Sequence, residues 1–160
     1  MSKVGKQSVA ESTRTDSGVL VGRCDYNLDP KHRFTIPSEW RAVMGKPEYV
    51  YVMPDGKDKC LNLIPPAEME ARLVKLRERA LFDSSLAKAL QTIGSVSEQL
   101  TLDVQGRIRV SDKLLQFANL TTTVAMVGSV RMIKLWDPKA LKPDVVDQTE
   151  LATALESVGF

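Results

Sequence analysis

One short motif occurs twice in this chain. Residues 28–36 read LDPKHRFTI and residues 102–110 read LDVQGRIRV. A single offset of 74 residues relates the two, taking Asp29 to Asp103 (103 − 29) and Arg33 to Arg107 (107 − 33). A duplication at constant offset constrains the fold more than any other feature: the chain holds two copies of one folding unit that share a core. It also bears on function. Two copies of a turn that carries a basic side chain suit a binding module with repeated contact points, whereas an enzyme more often needs one asymmetric pocket.

Each copy spells out the same elements. Phe34 and Ile36 alternate with Arg33 and Thr35, and Ile108 and Val110 alternate with Arg107 and Arg109. Period two sends the apolar pair inward and leaves the basic residues outside. A short helix follows in each copy, capped by Ser38 and running through Met44 to stop at Gly45, and capped by Ser111 and running through Ala118. Two strands come next. VYVM (50–53) and CLNLI (60–64) flank the turn-forming PDGKDK, while VAMV (124–127) and MIKLW (132–136) flank Gly128-Ser129.

The units therefore span 19–65 and 95–142, around a helical insert at 66–94. In the insert Met69, Leu73, Leu76 and Ala80 fall at helical spacing, Glu68 and Arg72 form an i,i+4 pair, and Asp83 caps a second helix through Ile93. Two helices so joined pack as an antiparallel hairpin. Residues 1–18 are polar and aperiodic and read as a flexible tail. Residues 143–160 read as an acidic C-terminal helix or tail, in which Leu151, Leu155 and Val158 form a stripe that docks on this chain or a neighbour. The fold class is α+β.

Composition narrows the function. Net charge is only +2, so affinity for nucleic acid has to come from local clustering. The clustering exists: Arg23, Lys31, Arg33, Arg41 and Lys46 outnumber Asp25, Asp29 and Glu39, while after Pro143 the only charges are Asp144, Asp147, Glu150 and Glu156. Cys24 and Cys60 form no C-x-x-C pair and read as small core residues in a reducing compartment. His32 is the sole histidine, too few for a zinc site, and no cofactor motif occurs. No apolar run approaches the ~20 residues that span a bilayer, and residues 1–18 lack the apolar core of a signal peptide. The protein reads as cytosolic.

The repeated turn has its own chemistry. An Asp that opens a turn accepts hydrogen bonds from N–H groups two or three residues on, so Asp29 and Asp103 fix the loops. Gly106 takes positive φ without steric cost. His32 stands at the matching place in the first copy, and His is among the residue types that tolerate positive φ. Each rigid loop then aims an arginine, whose fork suits a phosphate or the O6/N7 edge of guanine. The candidate contacts are Arg23, Lys31, His32, Arg33, Gln105, Arg107 and Arg109. A plainer account remains open, in which Asp29–Arg33 and Asp103–Arg107 are ion pairs that only hold the turns. Trp40, matched by Leu114, and Trp136 read as core. His32 lacks the nucleophile and orienting carboxylate that general-base work needs.

Taken together, LVGRC, NLDPKHRFTIPSEWR, LNLIPP, LDVQGRIRV, VAMVGSV and IKLWDP, in that order, closely resemble the MraZ family of bacterial regulators from about Leu20 to Lys142. The resemblance implies an AbrB-like swapped-hairpin barrel formed by two repeats about a pseudo-two-fold axis. It also implies a ring-shaped homo-oligomer on promoter DNA of the division and cell-wall gene cluster, hence a nucleoid-associated protein without a small-molecule substrate. The family's DNA-contacting turns fall on Lys31 and Arg33, and on Gln105, Gly106 and Arg107. Three departures stand out: His32 replaces the usual glycine, Gln105 sits where a basic residue would strengthen phosphate contact, and residues 1–18 extend the pattern. Two competing readings are an oligomeric scaffold in which the turns are architectural, and a phosphoester hydrolase, which lacks metal ligands and a nucleophile–base set.

Overall fold

A computed structural model describes residues 18–141 and 146–160. All but the last residue of the tail expected at 1–18 lies outside the described residues, as do Lys142, Pro143, Asp144 and Val145.

The first copy contributes β1 (Arg23–Asn27), β2 (Arg33–Thr35), α1 (Ser38–Val43), β3 (Tyr49–Pro54) and β4 (Leu61–Ile64). The insert is α2 (Pro66–Ala80) and α3 (Ser84–Val96). The second copy repeats the series as β5 (Glu98–Thr101), β6 (Arg107–Arg109), α4 (Asp112–Phe117), β7 (Thr123–Gly128) and β8 (Ile133–Trp136). A 3₁₀ turn at Pro138–Ala140 and α5 (Gln148–Ser157) complete the described chain.

Pairing interleaves the copies. One six-stranded sheet runs β1-β7-β8-β4-β3-β5, antiparallel throughout, and a second, two-stranded sheet joins β2 to β6. Exchanging the copies reverses the six-strand order and leaves it unchanged. Within this order β1 pairs with β7 of the other copy, and β5, its counterpart, pairs with β3. The core follows suit: Phe34, Val50, Val52, Leu61 and Leu63 from one copy pack with Ile108, Val124, Met126, Ile133 and Leu135 from the other. Neither copy encloses a core of its own.

The mixed α+β class matches the sequence reading, but the sheet is not a closed barrel. The ladder stops at β1 and β5, each with one hydrogen-bonded partner. Between those edges lies the β2–β6 ribbon, in contact with β1 and β5 without hydrogen-bonding to either. The turns at 29–33 and 103–107 carry the chain out of the main sheet before β2 and β6 begin, and that break keeps the ladder open.

Local signals mostly hold. Asp83 accepts from the N–H of Ser85 and Leu86, and Ser111 Oγ accepts from Leu114 N–H, as caps should. Glu68 and Arg72 pair at 2.6 Å. Trp40 and Leu114 are buried, and Trp40 Nε1 donates to the Val21 carbonyl. Cys60 is buried, which pushes its thiol up to about 11. Ser38, by contrast, is the first helical residue; Pro37 occupies the cap position and brings no side-chain acceptor. Neither α2 nor α3 buries a residue, though the two pack on each other. The last helix does not dock on this chain: every residue from 146 to 160 is exposed.

Candidate nucleic-acid interface

The two turns are built alike. In the first, Asp29 Oδ1 accepts from the N–H of Lys31 (2.9 Å) and Arg33 (2.7 Å), and Oδ2 accepts from Arg33 Nε (2.7 Å). The His32 N–H donates to the Asp29 carbonyl at 2.9 Å. In the second, Asp103 Oδ1 accepts from Gln105 and Arg107, both at 2.9 Å, and Oδ2 from Arg107 Nε at 2.7 Å. The Gly106 N–H completes that loop at 2.9 Å from the Asp103 carbonyl. The backbone N–H of the arginine, above all, holds each carboxyl below its ordinary range. Both loops need a left-handed residue, and they have it: His32 has φ 62° and Gly106 φ 80°.

Turn-holding ion pairs are thus present in both copies. They consume only Nε. Among the described residues the terminal nitrogens of Arg33 and Arg107 donate no hydrogen bond, so each fork keeps its outer edge.

Register decides where these arginines meet. Arg33 lies opposite Arg109 and Thr35 opposite Arg107, with Phe34 facing Ile108 between them. Phe34 and Ile108 are buried, so alternation puts Arg33, Thr35, Arg107 and Arg109 together on the outer face of the ribbon. Directly opposed side chains stand ~5 Å apart, where like charges repel. Asp29 offsets that repulsion for Arg33; Arg109 has no ion-pair partner among the described residues. Residues 29–35 and 103–109 hold four cations (Lys31, Arg33, Arg107, Arg109) against two carboxylates, equal to the +2 of the whole chain. The remainder of the molecule is electrically balanced.

The antiparallel register places the turns at opposite ends of the ribbon, each against the short helix of the other copy or the residues that lead into it. His32 Nδ1 lies 2.9 Å from Oδ1 of Asp112, the first residue of α4. At the far end the Ile36 N–H donates to the Gly106 carbonyl at 3.0 Å, and Arg41 of α1 lays its guanidinium against Gly106 while Nε donates to the Ile36 carbonyl. Asp112 and Arg41 escape sequence reading because each meets its turn only once the copies interleave. Arg23 sits elsewhere, on edge strand β1, paired to Asp25 at 2.9 Å. Lys31 and Gln105 are exposed at the loop tips, beside a fully exposed Val104. Among the described residues no group of His, Cys, Asp and Glu converges to hold a metal ion, and no helix is long and apolar enough to cross a membrane.

Comparison with known proteins assigns this arrangement to a family. Residues 95–142 match the family model described as "MraZ protein, putative antitoxin-like". Transcriptional regulator MraZ of Corynebacterium jeikeium is 30% identical over 113 residues, which cover 71% of this chain and 77% of that protein. The chain belongs to the MraZ family. Its similarity to other MraZ proteins is lower but longer. Transcriptional regulator MraZ of Clostridium tetani is 25% identical over 118 residues, covering 74% of this chain and 81% of its own length. That of Clostridium acetobutylicum is 24% identical over 145 residues, 89% of this chain and the whole of the relative. These MraZ relatives are named regulators, and none of them an enzyme.

Proposed function

We propose that the chain is a sequence-specific DNA-binding transcriptional regulator that applies the outer face of the β2–β6 ribbon to duplex DNA. One observation carries this reading: three arginines, Arg33, Arg107 and Arg109, share one face of a two-stranded ribbon whose ends are two aspartate-fixed turns. A two-stranded ribbon fits the major groove, and arginine is the commonest reader of guanine there. In this reading Arg33 reads bases with Arg107, while Lys31, His32, Gln105, Arg109 and Arg23 hold the backbone. Asp29, Asp103 and Gly106 keep the turns in shape. The interleaved pairing is taken as an AbrB-like swapped-hairpin arrangement of the units 19–65 and 95–142.

Assembly supplies the affinity. A protomer that neutralises two or three phosphates binds poorly at physiological salt, because the salt slope is only about −0.9 per phosphate. A ring of protomers on evenly spaced promoter repeats gains ~10²–10⁴ through effective concentration. The proposed targets are promoters of the division and cell-wall gene cluster, and the proposed place is the cytoplasm, on the nucleoid. No cofactor, membrane or small-molecule substrate enters the mechanism.

The test is binding of the purified protein to a labelled duplex from upstream of its own gene, titrated with salt against a scrambled competitor. Salt-sensitive, sequence-preferring binding supports the reading, and Arg33→Ala should abolish it with the oligomer intact. A second reading, an oligomeric protein-binding scaffold, has one observation in its favour: α2, α3 and α5 leave Val74, Ile93, Val96, Leu151 and Leu155 exposed, with Phe82 between α2 and α3 92% exposed. Stable oligomers without salt-sensitive DNA binding would favour it.

A further inference from the structure

The two ends of the ribbon differ in how positive charge reaches them. The first turn carries Lys31 at its tip; the second carries neutral Gln105 at the matching position. Yet a cation does stand at the second turn, brought from the other copy. A Cβ added at Gly106 would overlap the Arg41 guanidinium, so the two are in van der Waals contact. We propose that Arg41 is a phosphodiester-binding residue of the second turn, supplying from α1 the backbone contact that Gln105 cannot make. The proposal rests on the DNA-binding reading above.

Three observations support it. Arg41 spends Nε on the Ile36 carbonyl, at 3.0 Å, and its side chain donates no other hydrogen bond among the described residues. No carboxylate lies within 4 Å of it among the described residues, although Arg23, Arg33, Arg72 and Arg107 all have one. Arg41 is half-buried and no buried side-chain nitrogen goes unsatisfied among the described residues, so its terminal nitrogens face solvent, where a phosphate can take them in two-point fashion. Finally, Arg41 is reachable: it lines an open groove of about 540 Å³ between α1 and the second turn, with Ser38, Lys46, Gly106 and the carboxylates Glu48 and Asp103. The 74-residue offset places Leu115 at the matching site of the other copy, and Leu115 is buried in the core. Each turn thus gains one cation beside its aspartate-bound arginine, Lys31 from its own tip at one end and Arg41 from across the ribbon at the other.

The experiment compares the salt dependence of DNA binding for the full-length wild type, R41Q, R41K and R41Q/Q105K, on a duplex from upstream of the gene. R41Q should reduce the magnitude of the slope by about 0.9 for each engaged protomer. R41K should keep most of it, and Q105K should restore it in the R41Q background. A wild-type slope in R41Q, with binding still lost in Arg33→Ala, overturns the role of Arg41 and leaves the DNA-binding reading standing. Loss in both R41Q and R41K without rescue by Q105K shows that Arg41 only props the turn, and likewise overturns it. A wild type that never binds DNA overturns both. Should R41Q unfold, the Arg41 Nε–H resonance of the wild type decides: it shifts on DNA addition if Arg41 contacts phosphate, and an unmoved resonance overturns the proposal.

Discussion

At the scale of single residues, the turn depends on a carboxylate and a left-handed backbone position. Gly106→Ala places a Cβ at φ 80° and displaces Arg41 from its bond to the Ile36 carbonyl. The left-handed conformation costs ~1–2 kcal/mol and the lost hydrogen bond ~1 kcal/mol, so urea unfolding should show a loss of about 2–3 kcal/mol. Part of that loss should vanish when Arg41→Ala is already present, since the displaced contact is then gone. The carboxylates make a pH prediction. Asp29, Asp55 and Asp103 all have folded-state pKa values below the unfolded value of about 3.9, the first and last through the arginine N–H, and Asp55 through the N–H of Asp58 with Lys134. A depressed acid contributes stability that is complete above its unfolded pKa and disappears as pH falls through the folded one. Thermal melts should therefore drop steeply below about pH 4, and Asp29→Asn/Asp103→Asn should flatten that drop. The sequence disclosed both aspartates and the left-handed positions, since these are properties of one loop. It did not disclose Asp112 at His32 or Arg41 at Gly106, because nothing local marks a residue whose partner arrives from another copy.

Elements are held where copies cross. Gly128 ends β7 against the backbone of Leu20 and Val21: an added Cβ would sit 2.6 Å from Val21 N and 2.7 Å from the Leu20 carbonyl oxygen. That approach lets Gly128 N–H donate to Gly22 and lets Leu20 and Val130 exchange two hydrogen bonds at 2.9 Å. The following three-residue turn, closed by Arg131 N–H on the Ser129 carbonyl, forces Val130 to φ 67°, a strained value for a β-branched residue. Gly128→Ala should push the 20–22 segment away and speed amide exchange at Leu20, Gly128 and Val130 at least tenfold, while amides of β3 and β4 stay protected. Unchanged exchange at those three sites would contradict this account. The strands, both hairpins and the Asp83 and Ser111 caps were legible because period, turn residues and capping residues are local. The barrel was not: whether a ladder closes depends on how two edge strands meet, and here the ribbon stands between them. Nor was the position of Ser38, where a preceding proline takes over the cap site.

For the whole molecule, a shared core means shared stability. Phe34 and Ile108 face each other under the arginines, one from each copy. Phe34→Ala should cost ~3–5 kcal/mol and loosen β6 as much as β2, seen as a single shifted unfolding transition detected by both tryptophan fluorescence and circular dichroism. Two separate transitions would mean that the copies fold independently after all. Interleaving has a further consequence. Two separate half-length chains with this pairing would be identical, and identical chains present identical ends and suit palindromes. A single polypeptide frees the two ends from that identity, and here they differ: one is a histidine–aspartate end and the other a glycine–arginine end. A surface of this kind has a head and a tail, so in the proposed DNA complex it would take up a direction along the duplex, and a row of such protomers would tell upstream from downstream.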